Sequence, residues 1–486
     1  MSHGRDPHTG GMRCLGLDVG TTNTKAVVVD MARGARVLAT ATTPTPAGGA
    51  QLLAAVASLV REVVVDEPPA AVGIASMAET GVPLDDEDRP VGGLVRWDAR
   101  RGSGAADRLA RELGAAELFA ATGVRPSGKV PLAVWAHLRE HEPERWSRMR
   151  RWAGAADLVA LALTGRLVTD HTLAGRTMAF RLPPPGEPVP REFDAELLAT
   201  VGLRPGRLPE VAGPDEIAGR VPAGGVAGLR PGTPVVVAGH DHQVGAWAGG
   251  MRSPGDVADS LGTAESVVRV LRRRPASAAV AGEGMSLVRT VGGLHEAVVA
   301  GSPAAGAVLA RCAEQLGGEG RLTELLGAAA GRPRGRDAPL VLPYLRGRQA
   351  PAPDPDARPT VVGELPEDDD VALVAAVVDG LALHARWLLT AQAELAGDDP
   401  GAGEVLVLGA AAREGSAWLR AKAAAGPARL RVVEAGEPVA AGAALLAAHR
   451  AGLADAPALP SSAVQTGAAE LYDDLYCRFV TAATET

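Results

Sequence analysis

The sequence predicts an α/β protein of two large, related domains flanking a deep cleft, and three observations lead there. At 486 residues the chain exceeds the size at which one hydrophobic core stops growing. Short apolar runs bounded by turn residues alternate with helical stretches through the first half. A strand-and-turn unit with a Gly-Thr tip occurs near residue 20 and again near residue 262, as if one domain plan were used twice. With 47% hydrophobic residues the chain can fill two cores, and with only 3% aromatic residues it must do so with small and aliphatic side chains.

The elements follow in order. Residues 1–12 lack the apolar stretch of an export signal and read as a loose leader. CLGLDVG (14–20) and TKAVVVD (24–30) form a hairpin whose tip carries Asp18, Gly20, Thr21, Thr22 and Asn23. A helix is expected over 51–64 and a strand over 70–76. The Pro- and Gly-rich segments 183–190 and 205–234 are expected as surface connectors. PVVVAG (234–239) is the next strand, and DVADSLGTAES (256–266) repeats the logic of the first hairpin. A strand over 404–409 and helices over 416–425 and 439–450 close the second half.

The composition excludes several function classes. A net charge of −8 argues against a nucleic-acid surface, since such surfaces display basic stripes, and the cluster Arg272, Arg273, Arg274 reads as a solvated loop. Three cysteines without CxxC spacing suggest neither zinc nor a disulfide framework and fit a reducing cytoplasm. The most apolar helical window, 371–389, is interrupted by Asp379, His384 and Arg386, so it reads as a buried helix and no membrane span is expected.

The chain contains no GxxxxGK[ST] motif and no GxGxxG opening a helix, so phosphate needs another grip. Backbone N–H groups in the turn Gly20-Thr21-Thr22-Asn23 can form an anion-binding nest, with the Thr hydroxyls as extra donors; the alternative is an ordinary hairpin turn. Asp18, two residues before the turn, can hold Mg²⁺ beside such phosphates. His137 and His141 have the i, i+4 spacing of a metal pair but no accompanying carboxylate motif, and are expected to face solvent.

LGLDVGTTNTKAVVVD resembles the first phosphate motif of the sugar kinase, actin and heat-shock ATPase superfamily, in the version used by FGGY carbohydrate kinases. Further segments resemble that family in its order: GIASMAETGVPLDDEDRPV, VRWDARR, DLVALALTGRLVTDHTLAGRT, VVVAGHDHQVGAWAGG, DSLGTAES, LPYLRGRQAPAPDPDAR, VLVLGAAAREGSAWLRAKAA and GEPVAAGAALLAAHRAG. The resemblance implies two ribonuclease-H-like domains of the actin-like ATPase type, a sugar-binding domain over 13–247 and a nucleotide-binding domain over 248–452, then a tail over 453–486 with a closing helix. It implies a Mg²⁺- and ATP-dependent kinase acting on a small sugar or polyol, with homodimers or tetramers common in the family.

By the same resemblance Asp241 is the catalytic base and, with Asp18, a metal ligand. Glu79, Thr80, Trp97, Asp98, Arg100 and His242 fall where the family meets its sugar. Gly262 and Thr263 would bind phosphate, Gly301 and Gly306 would shape the purine pocket, and Gly409, Ala410 and Ala411 would form the adenosine loop. If the segment around Asp241 is extended, His240 and His242 both point away from the face that Asp241 uses. The chain departs from the family pattern at Ala78, Ala264, Glu265 and Arg348, which motivates an alternative: a noncatalytic sugar- and nucleotide-responsive binding protein on the kinase fold.

Overall fold

The computed structural model describes residues 12–65, 67–303, 305–409, 416–465 and 469–485. Two mixed sheets organise it. The first contains β1 (Arg13–Val19), β2 (Asn23–Asp30), β3 (Arg36–Pro44), β4 (Ala71–Ser76), β5 (Gly219–Arg220) and β6 (Pro234–His240), in the order β3-β2-β1-β4-β6-β5. The second contains β7 (Val257–Leu261), β8 (Glu265–Val270), β9 (Ser286–Arg289), β10 (Glu296–Ser302), β11 (Glu404–Leu408), β12 (Arg429–Val433) and β13 (Ser461–Ala463), in the order β9-β10-β8-β7-β11-β12-β13.

The two sheets share a plan. β1 pairs antiparallel with β2 and parallel with β4, as β7 pairs antiparallel with β8 and parallel with β11. Each sheet thus runs from antiparallel strands on one side to parallel strands at its centre and closes with one antiparallel edge strand, in keeping with the ribonuclease-H-like domains that the family resemblance implies. The central strands read as continuous apolar runs because helices cover both faces; every residue of β6 is buried. Segment 205–234, expected as a connector, also supplies the edge strand β5 and a strand Glu210–Ala212 that pairs with Val168–Asp170. Edge strands tolerate the Pro and Gly that mislead a strand reading, because only one of their sides is hydrogen-bonded.

Seven helices matter for the site: α1 (Gly49–Val63), α2 (Ala155–Thr164), α3 (Asp241–Ala248), α4 (Asp370–Ala396), α5 (Ala417–Ala425), α6 (Pro438–Arg450) and α7 (Ala469–Glu485). α4 is long and apolar enough to cross a membrane, but 78% of its apolar window is buried inside the protein. Its buried Asp379 is held by Arg334 at 2.6 Å and by the Tyr472 hydroxyl at 3.0 Å.

α3 and α6 are exchanged between the sheets. α3 follows the first sheet yet lies on the second, where a Cβ at Gly245 would come within 2.6 Å of Leu408. α6 belongs to the second half of the chain yet lies on the first sheet. There a Cβ at Gly16 would sit 1.7 Å from the Ala440 carbonyl oxygen, and one at Gly73 would sit 1.8 Å from that of Ala443. Glycine in the strands and alanine in PVAAGAALLAAHR are what let backbone approach backbone. At the end of α6 the buried Arg450 bonds Asp170 at 3.0 Å and the Val237 carbonyl at 2.9 Å, fastening the helix to the first domain.

Candidate active site

Between the two sheets lies a cavity of about 370 Å³, and the tips of both hairpins line it. The first tip is closed by Gly20 N–H donating to Asn23 O at 3.0 Å, the second by Gly262 N–H donating to Ala264 O at 3.0 Å. They meet across the cleft, Thr22 Oγ1 lying 3.1 Å from Thr263 Oγ1. Asp18 near the end of β1 is buried, and its Oδ1 has no hydrogen-bond partner. Burial and the nearby Asp241 charge push its carboxyl up to about 8, against the pull of Lys25. A buried carboxylate oxygen in that state suits a hard divalent cation, and Asp18 and Asp241 are oxygen donors lining one cavity.

Asp241 is the first residue of α3, immediately after β6. Its Oδ1 accepts from the backbone N–H of His242 at 2.7 Å. Burial raises its carboxyl above the usual carboxylate range, opposed chiefly by His242. Both histidines turn toward it: His240 Nε2 is 3.3 Å and His242 Nε2 3.7 Å from Asp241 Oδ1. The expectation that they point away fails because the chain is helical from Asp241, so strand alternation stops there. The ligand atoms of the three residues lie within 4.8 Å of one another. Burial, with the charges of His242, Arg176 and Lys129, holds His240 well below its ordinary pKa and hence neutral. His242 Nδ1 also reaches Ser260 Oγ in the second domain at 3.1 Å.

On the first-domain side Glu79 lines the cavity with φ 62°. It is already engaged: Arg176 Nη2 is 3.0 Å and Lys129 Nζ 3.5 Å from its Oε1. Burial alone would raise the Glu79 carboxyl, but Lys129 and Arg176 outweigh it and lower it. Trp97 lines the same cavity, its Nε1 donating to Thr21 Oγ1 at 2.9 Å. Thr80 lies behind the wall, where its hydroxyl accepts from Trp97 N–H at 3.1 Å. Asp98 pairs with Arg96 at 3.1 Å, and Arg100 lines a neighbouring cavity instead.

On the other side Gly262, Thr263, Gly301 and Gly409 line the cavity. Gly409 has φ +108°, and a Cβ there would lie 2.2 Å from Leu261 O, so only glycine fits. Gly306 backs the 262–263 turn, with a Cβ there 2.2 Å from Gly262 O. Ala410 and Ala411 lie outside the described residues. Glu265 shares the buried Lys422 with Asp259, whose Oδ2 is 2.5 Å from Nζ.

Lys25, Lys129, Arg176 and Lys422 are the charged residues that motif reading did not assign. A signal for three of them lay in the composition. The chain has 46 arginines and only three lysines. Lys25 and Lys129 line the cavity, and Lys422 stands behind it on Glu265. Where arginine serves at nearly every other basic position, the three amines are gathered at the cleft.

Residues 13–248 match the FGGY family of carbohydrate kinases, N-terminal domain, and residues 258–451 match the C-terminal domain of the same family. A xylulose kinase of Streptomyces rubiginosus is 33% identical over 272 residues, covering 54% of this chain. The aligned part is 55% of that relative, so the chain spans about half the length of the curated relatives it matches. The ligand-bound xylulose kinase from Lactobacillus acidophilus superposes with a TM-score of 0.84 at 19% identity, over 97% of this chain and 98% of that one. The gluconate kinase from the same organism gives 0.83 at 18% identity, over 97% and 98%. The two structural likenesses establish the actin-like ATPase fold. The two domain matches, in order and over the segments that build both walls of the cleft, show that the chain belongs to the FGGY family of carbohydrate kinases.

Proposed function

We propose that the protein transfers the γ-phosphoryl group of ATP to a hydroxyl of a small sugar, sugar alcohol or related polyol, with Asp241 as general base. The observation that carries this reading is the placement of Asp241: buried enough to have a raised pKa, yet on the wall of a cavity that both phosphate turns and the Glu79–Trp97 side share. A carboxylate so tuned accepts the hydroxyl proton as the acceptor oxygen bonds to the γ-phosphorus, and the bond from that phosphorus to ADP breaks. Mg²⁺ held by Asp18 and Asp241 would offset charge on the phosphates.

The chain's own residues do the rest. The turns 20–23 and 262–263 would hold the phosphate chain from opposite domains. Trp97 would offer a flat apolar face to carbon-bound hydrogens, while Lys129 and Arg176 fix the Glu79 carboxylate that meets the acceptor. His242, bonded to both Asp241 and Ser260, would report domain closure to the base.

The test is a coupled ADP-release screen with Mg²⁺-ATP against ketoses, aldoses, alditols, cyclitols and sugar acids, with products identified by mass spectrometry. Xylulose is the first acceptor to try, given the relative at 33% identity. A phosphorylated product establishes the kinase. ATP binding without any product across the panel rejects it in favour of the noncatalytic binding protein.

A further inference from the structure

The cleft cavity adjoins a second one of about 200 Å³, and Lys129, Arg176, Ser286 and Gln349 line both. The second cavity is built for negative charge. Six cationic side chains line it, Arg100, Arg125, Lys129, Arg176, Arg346 and Arg348, and among the described residues no carboxylate does. Arg348 is structural, bonded to Ala352 O and Ala483 O. Lys129 and Arg176 share the single acid Glu79. Among the described residues, Arg100, Arg125 and Arg346 form no ion pair.

Unmet donors point the same way. Arg176 is 93% buried, and while its Nη2 meets Glu79, its Nε and Nη1 have no hydrogen-bond partner. Ser127 Oγ, on the same cavity, is buried and unpartnered too. Burial draws the Arg125 guanidinium down from its usual range with no carboxylate to offset the cost. Such donors are completed by ordered water or by a ligand that displaces it, and planar guanidinium forks match the oxygens of a carboxylate or phosphate. The phosphates of ATP have their own grips: neither the 20–23 turn nor the 262–263 turn lines this second cavity.

We propose that the acceptor is an anionic polyol, its carboxylate or phosphate end seated among Arg125, Arg176 and Arg346 while its hydroxyl chain extends past Glu79 toward Asp241. This inference rests on the kinase reading and names its substrate class. The anionic end bridges the domains, since Arg125 and Arg176 belong to the first and Arg346 to the second. A neutral sugar makes no such bridge.

The experiment compares matched acceptors, D-gluconate with D-glucitol, D-xylonate with xylitol, and D-ribulose 5-phosphate with D-ribulose. ADP release reads turnover and calorimetry reads binding, in the wild type, Arg125→Ala and Arg346→Ala. At least one acid should exceed its neutral partner in kcat/KM by about 10- to 100-fold, the worth of one charge-assisted contact, and that ratio should collapse in both variants. Preference in the aldonate pairs identifies a carboxylate, preference in the ribulose pair a phosphate. Equal or better use of the neutral partners, a preference that survives both replacements, or no acid binding at all overturns the inference and leaves the kinase standing. Arginine-dependent binding of an acid without ADP release does the reverse, sinking the kinase reading while the anion site holds. Should Arg125→Ala fold poorly, Arg346→Ala alone decides, because Arg346 is exposed at the cavity rim.

Discussion

Thr22 and Thr263 touch across the cleft, hydroxyl to hydroxyl at 3.1 Å, although 241 positions separate them in sequence. Each sits at the tip of a hairpin in its own domain, so the contact marks where the two hairpin tips converge, as two halves of one phosphate grip would. Replacing Thr263 with Val removes one neutral donor and should weaken ATP binding about 3- to 10-fold. Isothermal titration with and without Thr22→Val checks this. If neither replacement changes ATP affinity, the tips do not hold the phosphate chain.

Asp241→Asn keeps the shape of the side chain and its hydrogen bond from His242 N–H but cannot accept a proton. Turnover should fall about 10²- to 10⁴-fold, with ATP still bound. Product formation at the wild-type rate would remove Asp241 from the role of base.

Lys422 offsets two buried acids, Asp259 and Glu265, and burial, partly relieved by Lys422, leaves the Glu265 carboxyl raised to about 7. Lys422→Met alone should cost about 3–5 kcal/mol, because it strands buried charge rather than removing it. Combining it with Asp259→Asn and Glu265→Gln should restore most of the loss. Thermal or urea unfolding of the single and triple variants measures both changes, and a Lys422→Met protein as stable as the wild type would refute the assignment.

Asp157, in the first turn of α2, accepts from Gly154 N–H at 2.8 Å, and burial pushes its carboxyl up to about 7 from an ordinary 3.8. The folded state therefore binds this proton more tightly than the unfolded state does, so the group favours folding at low pH. Its contribution is lost as pH rises from about 4 to about 7, at up to about 1.4 kcal/mol per pH unit. Asp157→Asn should flatten the stability profile between about pH 4 and 7 relative to wild type. Parallel profiles for the two proteins would show that the carboxyl titrates normally.

Much of this site was legible because its chemistry is local. Asp18 and the 20–23 turn come from one hairpin, Gly262 and Thr263 from another, and Asp241 from a strand end, so short motifs brought them to notice. Side chains that reach the cleft from elsewhere were not legible. Lys129 comes from a loop, and Arg176 lies about 100 residues after the Glu79 it holds. The occupied state of Glu79 thus has no local mark. The orientation of His240 and His242 hinged on a single residue, since strand and helix geometry differ at the point where α3 begins. The exchange of α3 and α6 was hidden for the same reason as the lysines. It is a relation between glycines in β1 and β4 and alanines near the other end of the chain.

The scarcity of lysine gives the protein an unusual chemical surface. Side-chain amines are the common target of acyl transfer, aldehyde condensation and ester-based labelling, and this chain offers three, two lining the cleft and one buried behind it. Reagents that decorate most proteins at random would here report on the cleft: slow where Lys25 is paired with Glu437 and Lys129 with Glu79, and slowest at Lys422. Occupancy of the cleft would then be readable as protection of two amines, without any engineered probe.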